Sequence, residues 1–490
     1  MMRFSPLSRS TPGRVGVSLL LSFLAVSVLG CSTPPPSASP ARALSTERFL
    51  HAPPPDVEST DATTWSGFAD PSLQALIAQA RSANLDVRIA QQRVQQARAG
   101  SRAAASRLWP TVSATGALSN QTTGLPAEIK LRSPDVRAIR GAIDIGWELD
   151  LHGAARAAAE AAELDALAAD AGVETAQWLA TTEIARQYLV WQGARVRLQH
   201  MRALQQTLQE TERLTRSRAL GGLASHLDVT RAAGESQSFA AQLPPIEALV
   251  AVTEASIKVL LGLSPSADLP GLSSSTPAAL PQIPHLGPGQ PIELLQRRPD
   301  LRVAQRQLLA EAARLRESHA DQWPRLVLGA VLGQQDLRLN GLGLAPSPYS
   351  NVALLFTAPL FNAGRLRAAV ERQSARERTA MLQYERAVLI AFQDVENSLI
   401  AVSQERERGA RLAGVVDRRR DGFRYAQSLY REGQIDLAQL IDAQRGLIGA
   451  ELAAADSHTQ RALGTVQLVK ALGGGWVAES AAASPAQPKP

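Results

Sequence analysis

Cysteine occurs once in these 490 residues, as Cys31, so no disulfide can brace the chain from within. Aromatic residues make up only 4%, and lysine is nearly absent, so the 51 basic residues are almost all arginine. The net charge of +6 is spread along segments that also carry Glu and Gln. A nucleic-acid surface concentrates its cations and interleaves them with aromatics. The pattern here reads instead as solvated helix surface, with no nucleic acid as partner. The 7 histidines are scattered without metal-ligand spacing, and the Gly473–Gly475 run follows a helix with no phosphate-loop context. The chain is therefore expected to be no enzyme and to carry no cofactor and no metal site.

One long apolar run stands near the start, VGVSLLLSFLAVSVLG at 15–30, preceded by Arg3, Arg9 and Arg14. It is short for a membrane-spanning helix and has the layout of a secretory signal over residues 1–30. Val28-Leu29-Gly30-Cys31 resembles a bacterial lipobox, which makes Cys31 the expected lipidation site. In lipoproteins of that kind a residue other than Asp after the cysteine implies sorting to the outer membrane, and Ser32 is not Asp. STPPPSASP then opens a Pro/Ser-rich tether, residues 31–64, that cannot build a core.

The remainder says nearly everything twice. Asp86, Arg88, Ala90 and Gln91 recur 214 positions on as Asp300, Arg302, Ala304 and Gln305, and Trp109-Pro110 recurs as Trp323-Pro324. Further along the offset is 211: Gly153, Arg156, Gly222 and Ala232 match Gly364, Arg367, Gly433 and Ala443. The expected division is a first repeat at 65–285, a second at 286–475 and a disordered tail at 476–490. Each repeat predicts a helix (71–107, 291–321) ended by Trp-Pro, then two strands. The strands fall near 111–120 and 138–151, and near 325–335 and 349–360. A glycine turn at Gly153 or Gly364 starts a helix that meets no proline until well past 215 or 430. About 65 helical residues make a rod of roughly 100 Å. A tight turn at GGLASH or EGQIDL reverses it. Leu243-Pro244-Pro245 should break the return helix of the first repeat, whereas its counterpart has no proline. Met381, Tyr384, Val388, Ala391, Val395, Leu399 and Val402 step by three and four, a coiled-coil seam. Ala180, Ile184, Tyr188 and Trp191 stand 211 before members of that seam.

IRGAIDIGWELDL, residues 139–151, alternates with a period of two, as a strand wet on one side does. Ile143, Ile145, Trp147 and Leu149 share the apolar side, while Arg140, Asp144, Glu148 and Asp150 share the polar one. Four strands cannot close a barrel, so the apolar face must either pack on helices or join strands from other subunits. The second course puts the isoleucines, Trp147 and Leu149 against lipid and the charged residues toward a water-filled lumen. RLVLGAVLG in the second repeat is apolar on both faces and leaves its own orientation open.

WSGFADPSLQALIAQA (65–80), GWELDLHG (146–153), LLQRRPDLRVA (294–304), TAPLFNAGR (357–365) and LIDAQR (440–445) resemble motifs of the TolC-like outer membrane factors, lipoprotein branch. The likeness runs in order through both repeats, and RRPD is its most specific element. Gln305 stands where the family commonly has Glu, and ADQWP replaces a usual Phe-Phe-Pro. The resemblance implies a mainly α chain with membrane β-strands. Four strands per protomer would form a trimeric outer-membrane barrel, continued by a long α-helical periplasmic barrel. It implies a homotrimer, with a periplasmic adaptor, an inner-membrane RND transporter and outer-membrane lipid as partners, and export of drugs or small amphipathic molecules. The exit duct of a type I protein secretion system is the alternative. By the same likeness Asp442 and Arg445 match acidic and basic gate positions. Ala438 stands where a bulky Leu is usual, with Leu437 expected to compensate. Three positions apart on a helix, Asp442 and Arg445 can meet within or between subunits, and their contact is the expected lock.

Overall fold

The computed structural model describes residues 48–52, 65–122, 124, 126, 135–269, 280–284, 286–287, 291–339 and 341–474. The expected leader 1–30, Cys31, most of the tether 31–64, the tail 476–490 and much of the loop between the first two strands lie outside the described residues.

In the first repeat, α1 (Pro71–Ala83) and α2 (Leu85–Ala105) precede strands β1 (Thr111–Gln121) and β2 (Val136–Leu149). The long helix α3 (Ala154–Leu220) follows, and the return runs through α4 (His226–Ala240) and α5 (Leu243–Leu260). The second repeat has α6 (Pro299–Ala320), β3 (Arg325–Leu339), β4 (Ser347–Thr357), the long helix α7 (Arg365–Arg431) and an unbroken return helix α8 (Leu437–Ala471). Both long helices contain 67 residues, a rise of about 100 Å. Each starts after a glycine in the left-handed region, Gly153 at φ +83° and Gly364 at φ +85°, where a Cβ would be strained. The return path breaks at Ala241-Gln242, and the two prolines occupy the first turn of α5, the one place in a helix where a missing N–H costs nothing. Among the described residues no helix is long and apolar enough to cross a membrane.

The helix expected over 71–107 is two helices, and that expected over 291–321 is also interrupted. The breaks fall at Asn84 and Arg298, which are 214 apart and extended at ψ 130° and 118°. Asn84 ends α1 and caps α2, its Oδ1 accepting from the Asp86 and Val87 amides. At Arg298 the following Pro299 excludes helical ψ. Each break residue also closes its own repeat. Asn84 donates to the Leu260 carbonyl at 2.9 Å, and Arg298 to the Ala471 carbonyl at 3.4 Å, positions 211 apart. Beside them Gly262 and Gly473 take φ +73° and +70°. A Cβ there would lie 2.7 Å from the Ala83 oxygen or 3.0 Å from the Arg297 carbonyl carbon.

These closures meet in the main core. Phe68, Leu73, Leu76, Ile184, Tyr188, Trp191, Ile257, Leu294, Val395, Leu399, Val466 and Val469 are buried together there. Ala180, Ile184, Tyr188 and Trp191, and Tyr384, Val388, Ala391, Val395 and Leu399 of the second seam, are all buried, whereas Met381 is exposed and Val402 half-buried. The buried Tyr188 hydroxyl donates to Asp70 Oδ2 at 2.7 Å, and Asp70 caps α1 through its other oxygen. The short segment Arg48–Ala52 is held against α7. Phe49 is buried in the same core, and His51 Nδ1 lies 2.8 Å from Glu396.

Candidate functional site

Apart from the two-residue strand Leu342–Gly343, which pairs with the end of β3, the strands form one antiparallel sheet in the order β1-β2-β3-β4, so β2 and β3 join the repeats while β1 and β4 are open edges. Residues paired across antiparallel strands share a face, and the register therefore sorts every side chain. Ile143 pairs with Ala114 and Leu332, Ile145 with Val112 and Ala330, and Trp147 with Leu328. Leu149 pairs with Leu326, which pairs in turn with Phe356; Leu328 pairs with Leu354 and Ala330 with Val352. One face is thus apolar across both repeats, and it includes the leucines of RLVLGAVLG whose orientation the sequence leaves open. Val112, Ile143, Val352, Leu354 and Phe356 are exposed on it.

Arg140, Asp144 and Glu148 lie on the opposite face, with Thr111, Ser113, Thr115 and Asn351. Thr115 Oγ1 donates to Asp144 at 2.6 Å across the strands, and Arg325 lies 3.7 Å from Glu148. Val327, Val331 and Leu355 interrupt this face, so it is mixed rather than wholly polar. Asp150, expected with the lumen-facing residues of the strand, lies just past the end of β2. Its carboxylate accepts from the Ala155 and Arg156 amides at 3.2 and 2.9 Å and from Arg156 Nε at 3.1 Å. It caps α3, where a carboxylate meets free amides and the positive end of the helix dipole.

At the far ends of the long helices, two reversals stand side by side. Gly222 and Gly433 take φ +72° and +78°, and Ser225 and Asp436 cap the return helices α4 and α8. Arg218 of α3 ties one tip to the other. Its guanidinium donates to the carbonyls of Tyr430 and Arg431, the last of α7, and lies 4.6 Å from the Tyr430 ring centroid. A cation on terminal carbonyls is the favourable arrangement at a helix C-terminus. The Tyr430 hydroxyl lies 3.2 Å from Thr215 Oγ1.

On α8, Ala438, Asp442, Arg445 and Gly449 form one exposed stripe, while Leu437, Leu440, Gln444, Leu447 and Ile448 are buried. Leu437 packs with Ala232, Phe423, Tyr430 and Leu440. It lies on the buried side of α8, away from the stripe that carries Ala438, where the expectation had it compensating for that small residue. Within one protomer the expected Asp442–Arg445 contact is not made. Among the described residues no hydrogen bond or ion pair joins them; Arg445 reaches Glu235 on α4, its Nε 2.9 Å from Oε1 and a second nitrogen on Oε2. The Arg445 guanidinium fork thus meets the Glu235 carboxylate in two places. The Arg445 hydrogen bonds hold the Glu235 carboxyl below its ordinary range, and Glu235 raises Arg445 in return.

Comparison with known proteins bears on the whole of this arrangement. A model of the outer membrane efflux protein family matches residues 76–263 and 291–474. The solvent efflux pump outer membrane protein SrpC of Pseudomonas putida is 30% identical over 413 residues, 84% of this chain and 86% of that protein. The pyoverdine export outer membrane protein OpmQ of Pseudomonas aeruginosa is 30% identical over 467 residues, covering 94% and 97%. The solved structure of the outer-membrane channel OprN is 29% identical, with a TM-score of 0.82 over 91% of this chain and 100% of that one. Matched through both of its repeats, the chain belongs to the outer membrane efflux protein family.

Proposed function

We propose that this chain is the outer-membrane channel of a tripartite RND-type efflux pump, passing small amphipathic molecules from periplasm to exterior. The observation that carries the reading is the sheet: one apolar face running through both repeats, two open edges, and too few strands to close around water. Three copies would supply twelve strands, and their long helices would continue the barrel as a tunnel about 100 Å long into the periplasm. A periplasmic adaptor and an inner-membrane transporter are the partners this geometry calls for, since a tunnel has no energy source of its own. SrpC and OpmQ are named for solvent efflux and pyoverdine export, which favours efflux over a protein secretion duct. Lipidation at Cys31 would fasten each protomer to the outer membrane.

The proposed gate lies at the helix tips. Three-fold symmetry would turn the exposed Asp442 into a ring of like charges whose repulsion must be offset. Arg445 would contribute to that balance while latched to Glu235, and small Ala438 would leave the neck wide at its level. Deletion of the gene, tested against unrelated dyes, drugs and solvents, should sensitise cells to several of them. Loss of a single secreted protein without such sensitivity would instead identify a secretion duct.

A further inference from the structure

The two repeats differ sharply where the sheet hands over to the long helices. In the first repeat this junction carries Asp150, which caps α3. Its counterpart 211 positions on is Phe361, preceded by Leu360. Neither can cap α7, and the Leu366 amide turns to Asn362 Oδ1 at 3.4 Å instead. Leu360 is 95% exposed and Phe361 89%, the most open large apolar side chains of the described residues. They begin three residues beyond the end of β4, whose Leu354 and Phe356 lie on the apolar face of the sheet. The same end of the sheet carries Trp109 and Trp323, each two residues ahead of a strand and both exposed. Trp147 lies there too, its indole N–H donating to the Leu108 carbonyl at 3.1 Å. Four and six positions after Phe361 come Arg365 and Arg367, exposed and, among the described residues, without an ion pair.

We propose that Leu360-Phe361 with Arg365 and Arg367 is a second membrane anchor, gripping the leaflet on the helix side of the barrel: the dipeptide enters the acyl boundary and the two guanidiniums take anionic headgroup phosphates. The order apolar tip, short turn, basic pair matches the order of acyl chain, glycerol and phosphate met on leaving a bilayer. Guanidinium forks fit phosphate oxygens in pairs. The first repeat lacks the device because its junction carboxylate is needed for capping. The proposal rests on the membrane reading of the sheet given above.

The test reads depth directly. Phe361→Cys and, separately, Val352→Cys on the apolar face of β4 are spin-labelled in the full-length protein, with the labelled wild type as blank for Cys31. Each is reconstituted in phosphatidylethanolamine–phosphatidylglycerol vesicles. At position 361, collisions with oxygen should exceed those with a water-soluble nickel chelate several-fold. The excess should shrink in pure phosphatidylcholine or when Arg365→Glu and Arg367→Glu are added. Nickel access at 361, or access by neither reagent because a second copy covers the loop, overturns the anchor. An oxygen excess indifferent to lipid charge and to both arginines overturns the headgroup contact. If position 352 is reached by nickel, the membrane reading of the sheet fails, and the anchor with it.

Discussion

Arg298 is 4% exposed and still charged, because its fork meets Asp300 at 2.8 and 3.1 Å and Asp394 at 3.1 Å, with the Trp178 ring centroid 5.2 Å away. Burial alone would pull its pKa down, but the two carboxylates hold it above its usual value. Arg298→Ala should cost about 3 kcal/mol in thermal unfolding, the low end for a buried pair because both carboxylates keep contact with water. Arg298→Lys should lose less, keeping the charge but not the fork. At the tips, Glu235 has a lowered pKa, so its latch on Arg445 is complete above the ordinary glutamate value of 4.5 and is lost as pH falls through the lower folded one. Single-channel conductance should therefore be flat from neutral pH to about 5 and rise in more acid solution. Glu235→Gln should show the raised conductance already at neutral pH, and Asp442→Ala should raise it by removing the acidic partner through which Arg445 would close the neck between copies. Unchanged conductance in both variants would remove the gate from this region. Arg298 and Asp300 are sequence neighbours, but the other partnerships were not open to a reading of local spacing: Arg298 and Asp394 are 96 residues apart and Arg445 and Glu235 210, so the i,i+3 neighbour Asp442 looked like the natural mate of Arg445.

Helices and strands were far more legible than contacts. The long rods end at 220 and 431 because glycine follows within two residues, and the strands start where Trp-Pro forbids further helix. Those are local rules, visible in sequence. The break at Asn84 was not, because the apolar period runs through it and its purpose, bonding the carbonyl at 260, is tertiary; the break at Arg298 has a local cause in Pro299, but the carbonyl it bonds at 471 is tertiary as well. The Pro-Pro break between α4 and α5 was legible, and its asymmetry is testable. Pro244 corresponds to Ala455, inside the unbroken α8. There a proline would remove a helical hydrogen bond and clash with the preceding turn. Ala455→Pro should cost about 3 kcal/mol or more, seen as lost helicity and a lower unfolding temperature. Pro244→Ala, in a first turn, should change neither by a measurable amount.

At the scale of the whole molecule, the sheet is a part awaiting a whole. Its apolar face would be a liability in water, and β1 and β4 present unpaired backbone along 11 residues each. The period of two assigned β2 its faces, but RLVLGAVLG could not be assigned until pairing with β2 fixed its phase, since a slip of one residue reverses every side chain. That phase makes a sharp contrast available within β4. Val352 sits mid-strand on the apolar face, and its neighbour Asn351 on the other. If lipid covers the first face and water the second, Val352→Arg places a charge near mid-membrane at a cost of about 2–4 kcal/mol per protomer, whereas Asn351→Arg costs little. Since a closed assembly would count that cost once per copy, Val352→Arg should abolish heat-modifiable oligomers in membrane extracts while Asn351→Arg retains them. Equal behaviour of the two would mean that the sheet buries its apolar face on protein instead, and the tunnel would then have no wall in the membrane.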